Sequence, residues 1–396
     1  MDQWRHRVAL ALAVAMLPMV WFWLALGPKL AALWLVGGAL GFSLHHAGFS
    51  FAGGFRLFIT HRRGALLRAQ LVMLALATIL VLPAVASGSL FGAPARGLVF
   101  PVGLAALLGA FLFGVGMQLG GGCGSGTLYG AGAGNARLGL TLMFFIAGAT
   151  LAAWRTDLWA AWPSLPATSL LGHFGLWPTL FTSLALIVLA YGAVRGLERR
   201  RHGHAVALSW RADSWHWGIL WRGPWPLLWG ALALAVLNLA TLWLAGRPWA
   251  ITAAFPLWGS RAIEALGWDD PAFWPYWEDP TRAEALLRPV LSDRTTIMDI
   301  GMLAGAAGAA ILAGRAARSW RLRSGEVAAS IIGGLLLGIG AILGSGCNIS
   351  AWVSGTASGS LHGWVWILPA LLGNAAGIAL RPRFRLDTPS RHGSPS

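Results

Sequence analysis

The chain has 396 residues, of which 57% are hydrophobic and 11% charged, with a formal net charge of +15. A soluble domain carries roughly 25% charged residues, so this composition excludes a water-soluble enzyme or binding module and marks a polytopic membrane protein. The positive charge does not mark a nucleic-acid binder: it gathers in HRRGALLR (61–68), RGLERRRHGH (195–204), RAARSWRLR (315–323) and RPRFR (381–385), between apolar runs, as expected of cytoplasmic loops.

In chain order, the first apolar run, 8–26, follows Arg5, His6 and Arg7. It is long, lacks a small-x-small cleavage pattern and is followed by further runs, so it predicts a transmembrane helix and not a signal peptide. Further crossings are predicted at 31–52, 66–86, 98–117, 138–154, 170–193, 225–245, 296–314, 326–344 and 362–380. The stretch 249–266 is short and interrupted by Pro256, which predicts a re-entrant or interfacial segment. Residues 267–295 combine acidic residues with several Trp and Pro and predict an ordered external loop or interfacial cap. Residues 386–396 read as a polar, disordered tail. With every basic segment in the cytoplasm, the crossings alternate without conflict and both termini lie inside. The expected fold is an all-α polytopic membrane protein with a first half at 1–205 and a second, inverted half at 206–385.

The inversion rests on a repeat. GLAALLGAFLFGVGMQLGGGC (103–123) aligns with VAASIIGGLLLGIGAILGSGC (327–347) at 9 of 21 positions, ending on the chain's two cysteines, Cys123 and Cys347. The loop charges place the two copies oppositely across the membrane, the first dipping in from the cytoplasm and the second from outside. Inverted repeats of broken helices meeting near the bilayer midplane are a sequence-level sign of a transporter. Glycines within the helices supply small packing faces. Those of GGGCGSGT and GSGCNIS permit backbone turns closed to other residues and expose N–H groups suited to an anion. Each thiol is flanked by polar side chains: Gln118, Ser125 and Thr127 near Cys123, Asn348 and Ser350 near Cys347, with Gly122, Gly124 and Gly346 beside them. A neutral thiol is a weak donor and soft acceptor that matches a polarisable ligand such as sulfur. Two inert buried cysteines, or a disulfide joining the loops, are the alternatives.

A third segment, HHAGFSFAGGFR (45–56), ends a membrane run with Ser50 and Arg56. Arg56 serves either as a positive-inside anchor or as an attractor of anions at the pathway mouth. His45 and His46 have no carboxylate or cysteine nearby in sequence, so no metal is expected. No cofactor motif is present. Asp299 lies inside an apolar run, a costly position that requires a partner or a role, and Arg294 is placed to neutralise it or Asp293.

GMQLGGGCGSGTLYGAG (116–132), GSGCNISAWVSGTASGSLHGW (344–364), TTIMDIGMLAGAAGAAILAGR (295–315) and the FR of GGFR (53–56) resemble the YeeE/YedE family of bacterial sulfur-transport membrane proteins. The similarity runs from about residue 37 to 382. The resemblance implies an inner-membrane thiosulfate permease with an hourglass-like inverted-repeat body and short helices that do not cross fully. It also implies that cysteines on the central path pass the anion along through S–H···S contacts, with Cys123 and Cys347 matching two of those positions. Family members carry a further cysteine near the FR segment, where this chain has Ser50. A related sulfur or selenium species, and a small cytoplasmic sulfur-carrier protein as partner, are further implications. Two other classes compete with a permease. A membrane sulfurtransferase or thiol redox enzyme would work through a cysteine persulfide, but the chain has no Cys-x-x-Cys and no nucleotide or quinone motif. A passive anion channel would use the glycine loops as a filter only.

Overall fold

The computed structural model describes residues 2–212, 217–315 and 321–387; most of the tail expected at 386–396 lies outside them. Among the described residues, ten helical stretches are long and apolar enough to cross a membrane. The fold is all-α and polytopic. Two of the ten are broken: 28–61 is divided into α2 (Pro28–Ala47) and α3 (Phe51–His61), and 104–132 into α5 (Leu104–Gly120) and α6 (Gly124–Gly132). The others are α1 (Asp2–Leu26), α4 (Ala65–Ser87), α7 (Ala136–Trp154), α8 (Leu176–His202), α9 (Leu227–Ala245), α11 (Arg294–Ala313), α12 (Ser324–Leu343) and α13 (Leu361–Leu380). The remaining long helix, α10 (Ala254–Ala265), falls on the stretch expected to be re-entrant or interfacial. Its 12 residues reach only about 18 Å, too short to cross.

Three boundaries differ from the sequence reading. The run expected at 31–52 ends at Ala47, because Gly48 adopts the left-handed conformation (φ 57°) and Ser50 then caps a new helix. The helix expected from residue 98 begins at Leu104: Val102–Gly103 pairs with Ser164–Leu165, a long-range pairing that hydropathy does not register. The helix expected from residue 170 breaks at Gly175 (φ 77°), restarts at Leu176 and runs on through its basic end to His202. The stretch 267–295 is an ordered cap. Trp274, Tyr276, Trp277 and Leu286 form a small core of their own with Ala153 and Leu257. The two indoles donate to Asp269 (2.9 Å) and Ser260 (3.1 Å).

The basic segments are tied together at one face. Arg68 and Glu198 form a buried ion pair at 2.8 Å, Arg68 also donates to the Val206 carbonyl, and His202 meets the carbonyl of His61. Arg7 packs beside Gly314, and Gly325 lies against Phe384.

The core is held by glycine seams that obey a two-fold exchange. α5 runs antiparallel to α12, and a Cβ on Gly109 would collide with the backbone of Gly344. Its counterpart 224 residues on, Gly333, would collide with the backbone of Gly120. The same exchange relates flanking helices: Gly114 and Gly373 admit the α5–α13 contact as Gly338 and Gly148 admit the α7–α12 contact. Such close approach maximises dispersion contact in a solvent where burial of apolar surface between helices gives little. Farther out, α1 and α2 pack on α11 as α8 and α9 pack on α4, and α3 packs on α13 as α10 packs on α7.

Candidate functional site

The two cysteines sit where the broken helices of the repeat restart. At the end of α5, Gly121 (φ 89°) reverses the chain, and Cys123 becomes the N-cap of α6. Its Sγ accepts the Gly126 N–H at 3.4 Å and lies 3.3 Å from the Ser125 hydroxyl. Gly122 is packed against the backbone of Gly126 and Thr127, where a side chain would not fit. At the end of α12, Ser345 (φ 53°) and Gly346 (φ 143°) make the matching reversal. Cys347 then starts a π-helical segment, Asn348–Ser354, a form that often appears at functional sites. The Cys347 N–H donates to the Ser350 hydroxyl (3.0 Å), which itself donates to the Cys347 Sγ (3.6 Å).

These two restarts meet. A Cβ on Gly124 would stand 3.2 Å from the Cys347 Sγ and 3.7 Å from Ile251. Both cysteines are fully buried, and both are free thiols, so the loops are not joined by a disulfide. Around them, the Thr127 hydroxyl and both side-chain polar atoms of Asn348 are buried with no hydrogen-bond partner among the described residues. Buried donors and acceptors left unpaired cost on the order of 1–3 kcal/mol each unless a ligand or water engages them. The N-terminus of α6 adds partial positive charge aimed at the same place. Two soft thiols, unengaged polar groups and helix-end N–H groups make a small polarisable anion the ligand that fits best. Gly124→Ala places a methyl group against the Cys347 thiol. We expect it to reduce transport of that anion about tenfold or more without altering expression or monodispersity, while Gly126→Ala, whose methyl makes an ordinary 3.5 Å contact with the Cys123 Sγ, is tolerated.

The surroundings of the pair differ on its two sides. Ser345, two residues before Cys347, lines a cavity of about 250 Å³ between the membrane helices and the cap, shared with Thr156, Trp159, Tyr276 and Arg282. Toward the basic face, the α5 end just before Cys123 is held by arginines: Arg137 donates to the Leu119 carbonyl and Arg381 to the Gln118 carbonyl (2.8 Å).

Of the residues singled out from sequence, Cys123, Gly122, Gly124, Ser125, Thr127, Cys347, Gly346, Asn348 and Ser350 are brought together. Ser50 reaches the same region by another route: it caps α3 by accepting from Gly53 (3.0 Å), and its side chain meets the Tyr129 hydroxyl on α6. Gln118 cross-links helices through its Nε2, which donates to the Ala52 carbonyl (3.0 Å) and to Asn374 (2.6 Å), while its buried Oε1 has no hydrogen-bond partner among the described residues. Arg56 is half-buried on α3, within electrostatic range of Arg381 and Asp387. Arg294 does not neutralise the acids near it; it donates to the Ala245 carbonyl (2.6 Å), while Asp293 caps α11 and both oxygens of the buried Asp299 have no partner among the described residues. The His46 ring packs between Phe42 and Trp225. Residues not singled out also shape the site. Trp352 braces the π-helical segment against Phe51 and Phe55, and Ile251 closes the wall beside Gly124. Trp352 and Tyr129 lie within the two cysteine motifs; Ile251 arrives through tertiary packing and carries no sequence signal.

A helical membrane body with two opposed re-entrant thiol loops defines a transport protein more readily than an enzyme. The model of the "Sulphur transport" family matches residues 46–376, and the chain belongs to that family. It is similar to the "Probable transporter YedE" of Escherichia coli, with 28% identity over 45% of this chain and 43% of that protein. It is also similar to the "Thiosulfate transporter TsuA" of Escherichia coli (24% identity over 86% of this chain and 91% of that one) and to that of Spirochaeta thermophila (25% over 68% and 74%). The match to YedE spans less than half of that relative's length.

Proposed function

We propose that this protein is an inner-membrane permease that imports a small sulfur-containing anion, thiosulfate foremost, past Cys347 and then Cys123. The observation that carries the reading is the meeting of the two free thiols' loops at Gly124 and the Cys347 Sγ, among buried polar groups without partners. In this reading the anion arrives through the cavity at Ser345, exchanges S–H···S contacts with one thiol and then the other, and leaves toward the arginines at the basic face. No bond to sulfur is made or broken. The names of the relatives, thiosulfate transporters among them, support the choice of substrate. The basic face is cytoplasmic on this reading, following the charge distribution. A small sulfur-carrier protein on that side is the proposed acceptor.

The proposed halves are best divided between α7 and α8 rather than after residue 205. This division makes α8 the counterpart of α1, in keeping with the packing of α8 on α4 and of α1 on α11. Expression in cells that lack other uptake systems tests the function: the reading expects growth on thiosulfate as sole sulfur source, and failure to grow despite membrane insertion would reject it.

A further inference from the structure

Two guanidiniums hold the end of α5 beside the Cys123 loop, with two more in electrostatic range. Arg137 packs against Gly121, with its Cζ 3.5 Å from where a Cβ would stand, and donates to the Leu119 carbonyl; its Nε is buried without a partner among the described residues. Arg381, 5% exposed, donates to the Gln118 carbonyl. Arg56 and Arg323 complete the set, within electrostatic range of these two. The acids that face them are Glu326, paired with Arg323 (3.0 Å), and Asp387, paired with Arg381 (2.8 Å). Four cations against two anions leave an excess of two positive charges. Among the described residues, neither Arg56 nor Arg137 has a carboxylate within salt-bridge distance.

Topology alone does not require this arrangement. A positive-inside anchor needs only to stand in water or headgroups, as the exposed Arg199, Arg200 and Arg201 do. Arg56 and Arg137 are instead half-buried, and Arg137 is turned inward on the last backbone turn before Cys123. Desolvated guanidiniums without counter-charges are expensive unless an anion visits them, and their fork of donors fits an oxyanion bidentately. Asp387 supplies a carboxylate of its own. It is half exposed, bonds Arg381 through Nε (2.9 Å) and Nη2 (2.8 Å), and lies within range of Arg56.

We propose that Arg56, Arg137 and Arg381 form a second anion site on the basic-face side of Cys123, selective for a small divalent oxyanion, in which Asp387 stands as a resident carboxylate that the anion displaces. This deepens the transport reading and rests on it for direction: the site takes the anion from Cys123 and holds it before release. Recognition here is by charge and oxygen, without need of a thiol, so the site binds sulfate as well as thiosulfate.

That property separates the two proposals experimentally. Sulfate binding is measured on the purified full-length chain carrying Cys123→Ser and Cys347→Ser, or on wild-type protein if that background does not fold, by sulfate-dependent thermal stabilisation. Arg56→Gln and Arg137→Gln are expected to weaken sulfate binding about tenfold each, the loss of one charge-assisted contact, and Asp387→Asn to strengthen it about threefold or more by removing the competitor. Binding that is unaffected by either arginine change, or that weakens with Asp387→Asn, would overturn the site. Absence of thiosulfate uptake by the wild-type protein would reject the transport reading while leaving this binding pattern intact.

Discussion

Replacing either cysteine with alanine is expected to cut thiosulfate uptake about tenfold or more, because each substitution removes a polar contact worth roughly 1.4 kcal/mol from the pathway. The fold should survive both changes. Neither thiol is in a disulfide, and their hydrogen bonds, at 3.3–3.6 Å, are those of weak sulfur partners. Truncation to alanine therefore costs on the order of 1 kcal/mol of stability at most sites of this kind. The polar groups left behind, Ser125 at one loop and Ser350 at the other, can bond to backbone or to water. Serine replacements sharpen the experiment. They retain a donor of similar reach and replace the polarisable sulfur with a hard oxygen, so a relay that depends on S–H···S contact loses activity in serine variants almost as fully as in alanine variants. Uptake measured per folded protein in proteoliposomes decides the matter. Values within twofold of wild type for Cys123→Ala and Cys347→Ala would remove the thiol relay.

The second large effect concerns the seam between α5 and α12. Gly109→Ala drives a methyl group into the backbone of Gly344, and Gly333→Ala drives one into the backbone of Gly120. Neither obstacle is a flexible side chain that can swing aside, so the helices must separate. We expect each change to destabilise the protein by about 1–3 kcal/mol or more. The two-fold exchange makes a stronger statement: the two variants should be damaged alike, although they lie 224 residues apart in sequence. Gly139→Ala and Gly192→Ala are the controls, since nothing lies within 4 Å of either added methyl. Their helices should gain about 0.5–1 kcal/mol from the reduced backbone entropy. Thermal unfolding in detergent reads all four. Equal tolerance of seam and control substitutions would show that the close approach of α5 and α12 does not hold the core.

The membrane helices were legible because each apolar run is longer than a soluble helix needs, and the basic segments between them are short. The thiol loops were legible because glycine, cysteine and a second copy at constant spacing leave few structural explanations. Hydropathy could not see where helices begin when long-range pairing decides it, as at Val102–Gly103 with Ser164–Leu165. Nor could spacing anticipate what one end of the bundle gathers. Arg56, Arg137 and the Arg381–Asp387 pair come from three separate segments, on α3, at the start of α7 and just after α13, and are brought within electrostatic range only by the fold. Gln118, inside the cysteine motif, has a divided amide that sequence could not foresee: its Nε2 is held by Ala52 and Asn374, while its Oε1 is buried without a partner among the described residues. Asp299 was conspicuous in sequence and remains so in the fold, where both its oxygens are buried without a partner among the described residues.

The most direct measurement is uptake of labelled thiosulfate into proteoliposomes that contain only this protein, with sulfate and selenite as competitors. Saturable uptake above that of empty liposomes, which is lost in the Cys123→Ala and Cys347→Ala variants, is the predicted result. Flux that is absent, or that rises linearly with concentration and does not depend on either thiol, would contradict a cysteine-lined permease.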